Sequence, residues 1–334
     1  MNDRVGQPRA GIATIVDAAL ELSVVGSFSR IGPSVRRRLD GWTDPPAGSL
    51  AGRTVLITGP TSGLGRVTAD ALADLGARLV LVGRSREKLD DVRGALARRA
   101  GEDRFPTVVA DIGSLTSVRA AVAEVLGTES RLDVLIDNAG AIFPERTPSS
   151  DGLESTFGLM VAGPFALTAG LLPLLRASGG RVIAVTSGGM YTQRLDLDDL
   201  QSAAGAWSGS QAYARAKRAQ TALMREWARR FAGSGVTFDA MHPGWADTPG
   251  LADSLPGFHR VMGPLLRSAE DGADTIVWLA AHPESAERTG ELFLDRRPRP
   301  FDRAPQTRLT PTDRRRLWSH VVRLTGEPDP APGV

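Results

Sequence analysis

Arg53-Thr54-Val55-Leu56-Ile57-Thr58-Gly59-Pro60-Thr61-Ser62-Gly63-Leu64-Gly65 is a short apolar run delivered into a glycine-rich turn. The run predicts a buried strand, and the turn predicts a helix start directly after it. Gly59, Gly63 and Gly65 carry no side chains to hold a diphosphate away from the backbone. The helix N-terminus beyond them offers free N–H groups and the positive end of a dipole. Thr58, Thr61, Ser62 and Leu64 belong to the same turn and are taken with it as candidate cofactor-binding residues. The Gly-x-x-x-Gly-x-Gly spacing differs from G-x-G-x-x-G and lacks the Lys-Ser/Thr ending of a triphosphate loop, so a dinucleotide is favoured over ATP. The same glycines would also suit an ordinary tight turn.

After the first helix, expected over about residues 64 to 75, a second apolar run from Arg78 to Val82 ends in Gly83-Arg84-Ser85. In a Rossmann unit this strand end faces the adenosine ribose, where an acidic residue binds a free 2′-hydroxyl and an arginine accommodates a 2′-phosphate. Arg84, with Ser85 as a second donor, favours NADP(H). NAD(H) stays open, because Ser62 stands where a second basic residue would help and an arginine at such a junction is often a solvated charge.

Further along, Tyr213-Ala214-Arg215-Ala216-Lys217 sets one of the chain's two tyrosines four residues before one of its two lysines. Nearly all other basic residues are arginine, so position 217 has kept an ammonium where a plain positive charge would not serve. Residues i and i+4 share a helix face. A cation beside the phenol is expected to lower the tyrosine pKa toward neutrality, as a tyrosine acid/base requires.

These pieces, with Asp111-Ile112 after a third strand, Asn138-Ala139-Gly140 after a fourth, Ser187 after a fifth and Pro243-Gly244 near the end, resemble the short-chain dehydrogenase/reductase family over roughly residues 51 to 295. Thr186-Ser187-Gly188-Gly189-Met190 and Met241-His242-Pro243-Gly244-Trp245-Ala246-Asp247-Thr248-Pro249-Gly250 are similar to its subgroup named for dehydrogenase/reductase member twelve. The resemblance implies that Tyr213 passes a proton to or from the substrate oxygen, Ser187 hydrogen-bonds that oxygen, and Lys217 tunes the phenol and holds the nicotinamide ribose. It further implies that Asp111 meets the adenine, Asn138 to Gly140 pass beside the cofactor ribose, and Thr248 contacts the carboxamide. Read alone, Ser187 could merely end a strand, Pro243-Gly244 could be a plain turn and Asp111 could cap the next helix. Met160 stands where the family has an asparagine that supports a proton-relaying water chain, and a thioether does neither job well.

Composition bounds the rest. At 334 residues, 42% hydrophobic and 23% charged, the chain fits one α/β domain, and alternating strand and helix signals imply a Rossmann-type doubly wound parallel sheet. Without cysteine, and with His242, His259, His282 and His320 scattered, no metal is expected. A formal charge of +2 with interleaved acidic residues argues against a nucleic-acid partner. Residues 1–50 form an N-terminal helical extension: Ile12, Ile15, Val16, Ala19, Leu20 and Val24 lie near helical spacing, Gly26, Gly32 and Pro33 break the pattern, and a basic piece runs from Val35 to Trp42. Every motif lies downstream, so this segment is expected to be dispensable for folding and cofactor binding. It suits a peripheral membrane contact, a subunit contact or packing on the protein's own surface. Residues 51–295 are the catalytic domain. Residues 296–334 are a Pro/Arg-rich extension with a short helix striped by Leu317, Val321 and Leu324, disordered after Gly326. The expectation is a cytoplasmic, homo-oligomeric oxidoreductase acting between carbonyl and alcohol on a small molecule. Its pocket would be walled by Phe143, Met190, Trp207, Trp245, Leu251 and Phe258. A cofactor-binding regulator with weak turnover is the alternative.

Overall fold

The computed structural model describes residues 7–286 and 288–331. Its sheet is built from β1 (Thr54–Thr58), β2 (Arg78–Gly83), β3 (Thr107–Val109), β4 (Val134–Asp137), β5 (Arg181–Val185), β6 (Thr237–Met241), β7 (Leu292–Leu294) and β8 (Arg297–Pro298). They lie in the order β3-β2-β1-β4-β5-β6-β7-β8, parallel up to β7 and antiparallel at β8. The helices are α1 (Gln7–Leu22), α2 (Val24–Phe28), α3 (Ile31–Asp40), α4 (Gly63–Asp74), α5 (Arg86–Ala100), α6 (Leu115–Thr128), α7 (Ser155–Phe157), α8 (Gly163–Ser178), α9 (Gly209–Arg230), α10 (Pro249–Ser254), α11 (Pro256–Met262), α12 (Ala269–Ala281) and α13 (Pro311–Thr325).

Strands such as Val55-Leu56-Ile57 are apolar on both sides because both faces of the sheet are covered. Residues of α4, α5 and α12 bury one face, and residues of α6, α8, α9 and α13 bury the other. This is the Rossmann-type doubly wound arrangement. Strand order reverses between β1 and β4, so a crevice opens at the carboxyl ends of those strands, where such sheets bind ligands. The run Ser155–Ser178 is long and apolar enough to cross a membrane, but 72% of its apolar window is buried within the protein, and it is the central helix of this core. A π-helical turn, Gly158–Ala162, joins α7 to α8 and carries Met160, which has no exposed surface. Gly163 opens α8 because a Cβ there would run into the Ile112 carbonyl.

The N-terminal extension departs from its sequence reading. Gly32 and Pro33 do not break a helix but form the first turn of α3, where a missing N–H costs nothing. Of the basic piece, Arg37 and Arg38 are exposed, but Arg36 faces inward: it is fully buried and donates to Asp17 at 2.6 Å, Asp295 at 2.5 Å and Glu21 at 3.0 Å. Arg267, also buried, reaches Asp295 from the other side at 2.7 Å and donates to the carbonyls of Ser27 and Phe28. Residues 1–6 and the Ile12 side chain lie outside the described residues.

At the other end, the sheet continues past residue 295 through a turn in which Asp295 and Arg296 take φ of 53° and 59°. The tail after Gly326 is packed rather than disordered as far as Ala331. Glu327 pairs with Arg119 at 2.9 Å, Asp329 accepts from the Trp318 indole at 3.0 Å, and Ala331 is buried. Residues 332–334 lie outside the described residues.

Candidate active site

The phosphate-cradle turn is made by the backbone. Gly59 and Gly63 take φ of 68° and 51°, which a side chain would strain. A Cβ on Gly65 would collide with the Gly59 carbonyl and come within 2.5 Å of Asn138 Nδ2. Asn138 Nδ2 donates to the carbonyls of Thr58 (2.9 Å) and Gly59 (3.2 Å), while Thr58 Oγ1 accepts from the Asn138 and Ala139 N–H groups at 3.0 Å. The end of β4 therefore fixes the turn after β1. Ser62 stands at the N-cap of α4 without capping it, so the first-turn N–H groups face the crevice unclaimed by that side chain. Thr61 borders the turn half-buried, and Leu64 packs against the core. The helix begins one residue earlier than expected.

Around this turn the other strand ends converge. Arg84 is exposed, and Ser85 caps α5 by accepting from the Lys88 N–H at 3.3 Å. Asp111 closes a local turn onto the Gly113 N–H at 2.9 Å, while Ser114 caps α6, so Asp111 is not that helix's cap. Thr248 caps α10, and its side chain lies 3.4 Å from where a Cβ on Gly63 would be. Pro243-Gly244 turns with Gly244 at φ 68° against the Phe28 carbonyl and Arg267.

Ser187 follows β5, accepts from the Gly189 N–H at 3.2 Å and acts on the Tyr213 phenol, favouring its charged form. On α9, Lys217 is buried, and its Nζ lies 5.9 Å from the Tyr213 ring centroid. That ammonium donates to Val185 O at 2.7 Å and Gln220 Oε1 at 3.1 Å. A Cβ on Gly140 would sit 3.4 Å from both Lys217 Nζ and Met160 Sδ, so Gly140 lies between the amine and the thioether.

The expected lowering of the phenol's pKa is not what these surroundings produce. Burial raises the Tyr213 phenol, with the Ser187 hydrogen bond pulling the other way. Burial also pushes the Lys217 amine down to about 7, opposed by the Asp137 carboxylate. The amine lies over the ring while its hydrogen bonds go to Val185 and Gln220, and desolvation sets the direction of the phenol's shift. The other tyrosine, Tyr191, donates to Pro300 O at 2.8 Å, and burial raises its phenol to about 12. Tyr213 is therefore the tyrosine that a strand-end serine acts on.

Of the expected pocket walls, Phe143 receives the Trp207 indole at its carbonyl at 3.3 Å, and Trp245 packs edge-on to Phe258 at 5.3 Å. Leu251 on α10 is half-buried. Met190 is no wall: it is fully enclosed, and its sulfur accepts from Thr221 at 3.2 Å inside the core. The sequence reading missed Phe28, which comes in from the N-terminal extension and packs on His242 (4.8 Å) and Trp245 (5.8 Å). A Cβ on Gly188, next to Ser187, would strike its ring. Asp137, buried at the end of β4, was also missed. His242 is fully buried with neither ring nitrogen bonded, and burial among arginines holds it neutral.

A Rossmann crevice holding a serine, a tyrosine and a lysine is the site of a nicotinamide-dependent oxidoreductase. The chain belongs to the short-chain dehydrogenase/reductase family: residues 59–294 match the family model described as enoyl-(acyl carrier protein) reductase. It is 39% identical over 251 residues to human dehydrogenase/reductase SDR family member 12, covering 75% of this chain and 78% of the relative. It is 36% identical over 305 residues to mouse retinol dehydrogenase 14, covering 86% and 90%. Among solved structures, a Mycobacterium paratuberculosis protein of unassigned function matches 85% of this chain and 97% of its own at TM-score 0.67 and 29% identity. The Pseudomonas aeruginosa RhlG/NADP active-site complex matches 74% and 96% at TM-score 0.61 and 26% identity.

Proposed function

We propose that the protein interconverts a carbonyl and an alcohol on an apolar small molecule, with NADP(H) preferred over NAD(H). The observation that carries this reading is the Lys217 ammonium 5.9 Å from the Tyr213 ring centroid, with Ser187 at the end of β5 near enough to act on the phenol. The residues present fit a dinucleotide: a side-chain-free turn, an uncapped helix start and hydroxyl-bearing strand ends meet in one crevice. Gly59, Gly63 and Gly65 with Thr58, Thr61, Ser62 and Leu64 would hold the diphosphate, Arg84 and Ser85 the 2′-phosphate, and Asp111 and Ile112 the adenine. Asn138, Ala139, Gly140 and Lys217 would line the nicotinamide ribose, and Pro243, Gly244 and Thr248 the carboxamide. When bound, the cofactor supplies or accepts the hydride.

The chain's own residues handle the oxygen. Ser187 holds the carbonyl oxygen, Tyr213 donates its phenolic proton to it during reduction, and Lys217 offsets the phenolate charge that results. A phenol raised by burial stays protonated at neutral pH, which suits the donor role. Phe28, Phe143, Trp207, Trp245, Leu251 and Phe258 make the surroundings apolar; retinol, named in the mouse relative, is an alcohol of that apolar kind. The exposed Leu22, Val24, Val25 and Ile31 suit contact with a second subunit, and mutating them should reduce the size-exclusion mass; a membrane contact would show instead as liposome flotation.

The test is oxidation of NADPH and of NADH by purified protein across a panel of apolar ketones and aldehydes. Turnover with NADPH favoured is expected. Tight NADPH binding without turnover of any carbonyl would favour the cofactor-binding regulator.

A further inference from the structure

Lys217 is a buried amine with two neutral hydrogen-bond acceptors, Val185 O and Gln220 Oε1. An ammonium has three N–H donors and a full charge, and neither carbonyl neutralises it. Gly140, across from which lies the uncharged thioether of Met160, offers it no counter-charge. What answers the charge comes from the sheet. Asp137 is the last residue of β4, paired in register with Ala184 of β5, next to the Val185 carbonyl that Lys217 grips. Strand alternation turns Asp137 to the face covered by α8 and α9, and Thr168 of α8 meets its Oδ2 at 3.4 Å. Its exposure is 1%, and Oδ1 has no partner. Gln220 Nε2, on the residue whose oxygen holds Lys217, is likewise a buried donor without an acceptor.

Unpaired buried carboxylate oxygens are costly, so this one needs a charge or a proton. Among the described residues, Lys217 is the one charge whose field acts on it, from beyond ion-pair distance: α8 offers Thr168, β5 offers neutral backbone, and Tyr213 on α9 is an uncharged phenol. We propose that Asp137 is the counter-charge of Lys217, a positioning residue that keeps the buried amine protonated and held behind Tyr213. The mutual influence agrees: burial pushes the Asp137 carboxyl up to about 7 while Lys217 opposes it, and burial pushes Lys217 down to about 7 while Asp137 opposes that. Near neutrality the pair holds either a carboxylate facing an ammonium or a carboxylic acid facing an amine. Only the first form serves the proton transfer proposed above, on which the catalytic consequence, though not the pairing, rests.

The chain's two lysines make the test direct. In protein labelled with 15N-lysine, two Nζ resonances are followed against pH, with exposed Lys88 as the internal reference. Asp137→Asn, close in shape and without the charge, should move the Lys217 midpoint down by about one unit or more, roughly a tenfold loss of ammonium above it. Thr168→Val, which removes the hydrogen bond that favours the carboxylate, should move it the same way by less, and this arm stands if Asp137→Asn does not fold. In turnover, the basic limb of the kcat/KM profile for carbonyl reduction should fall to lower pH by the same amount as the resonance. A Lys217 midpoint unmoved in the folded variants overturns the pairing. A moved midpoint with an unchanged rate profile leaves the pairing standing and counts against the proton-transfer reading.

Discussion

Lys88 and Lys217 differ as much as two lysines can: one lies in solvent, and the other lies behind the phenol with its amine wholly enclosed. The sequence exposed that contrast, because in an arginine-rich chain a lysine four residues after a tyrosine stands out. What it could not reveal was the sign of the pKa change, since desolvation depends on packing from α8 and the sheet. Asp137 was illegible for the same reason: before folding it is one carboxylate at a strand end, and the groups that bury it lie some thirty and eighty residues away. Arg84, by contrast, is read from position alone and stays exposed. Arg84→Asp should weaken NADPH binding about tenfold or more, through loss of a charge-assisted contact to the 2′-phosphate, and should improve NADH binding. Fluorescence titration of both cofactors checks this, and equal wild-type affinities for the two would contradict it.

Among the elements, the β–turn–α unit from β1 to α4 was legible to within a residue because apolar runs and glycines act locally. The N-terminal helices were not. Their hydrophobic spacing was visible, but nothing in residues 24 to 40 announces that Phe28 fits beside Gly188 and Gly244, or that Arg36 and Arg267 share Asp295. Deleting residues 1–45 would leave Asp295 and Arg267 without Arg36 and the carbonyls of Ser27 and Phe28, so the deletion should destabilise the body rather than leave it folded. Breaking a buried ion network by removing one partner is strongly destabilising. The milder variant Phe28→Ala should cost about 3–5 kcal/mol, as expected for emptying a buried aromatic site. Urea unfolding should show this as a lower midpoint, with loss of carbonyl turnover as the Trp245 segment loosens. A midpoint within error of wild type would show that the extension does not hold the site.

Across the whole molecule, buried carboxylates of opposite kinds make stability depend on pH. Arginine pairing and hydrogen bonds hold Asp17, Asp133 and Glu226 below the usual range despite their burial, so their contribution is lost as pH falls below about 4. Asp239 in β6 is raised by burial to about 7, so the native state keeps a proton that the unfolded chain has released, and stability falls as pH rises from about 4 to 7. His242, held neutral by burial, opposes this as pH falls through about 6.5, so the Asp239 share is read as the difference between wild type and variant. Asp239→Asn, whose oxygen can still accept from the Glu291 N–H, should flatten the decline toward pH 7, and an unaltered slope would refute that assignment. The doubly wound sheet follows from the order of apolar runs, while the proton chemistry depends on side chains that only the folded molecule brings together. That chemistry is tested most directly by wild type and Tyr213→Phe compared in one assay, NADPH oxidation by the best carbonyl of the panel, with NADPH binding measured alongside. The account predicts nearly equal NADPH affinity and a rate at least roughly a hundredfold lower in the variant. A Tyr213→Phe protein that reduces the carbonyl as fast as wild type would contradict it.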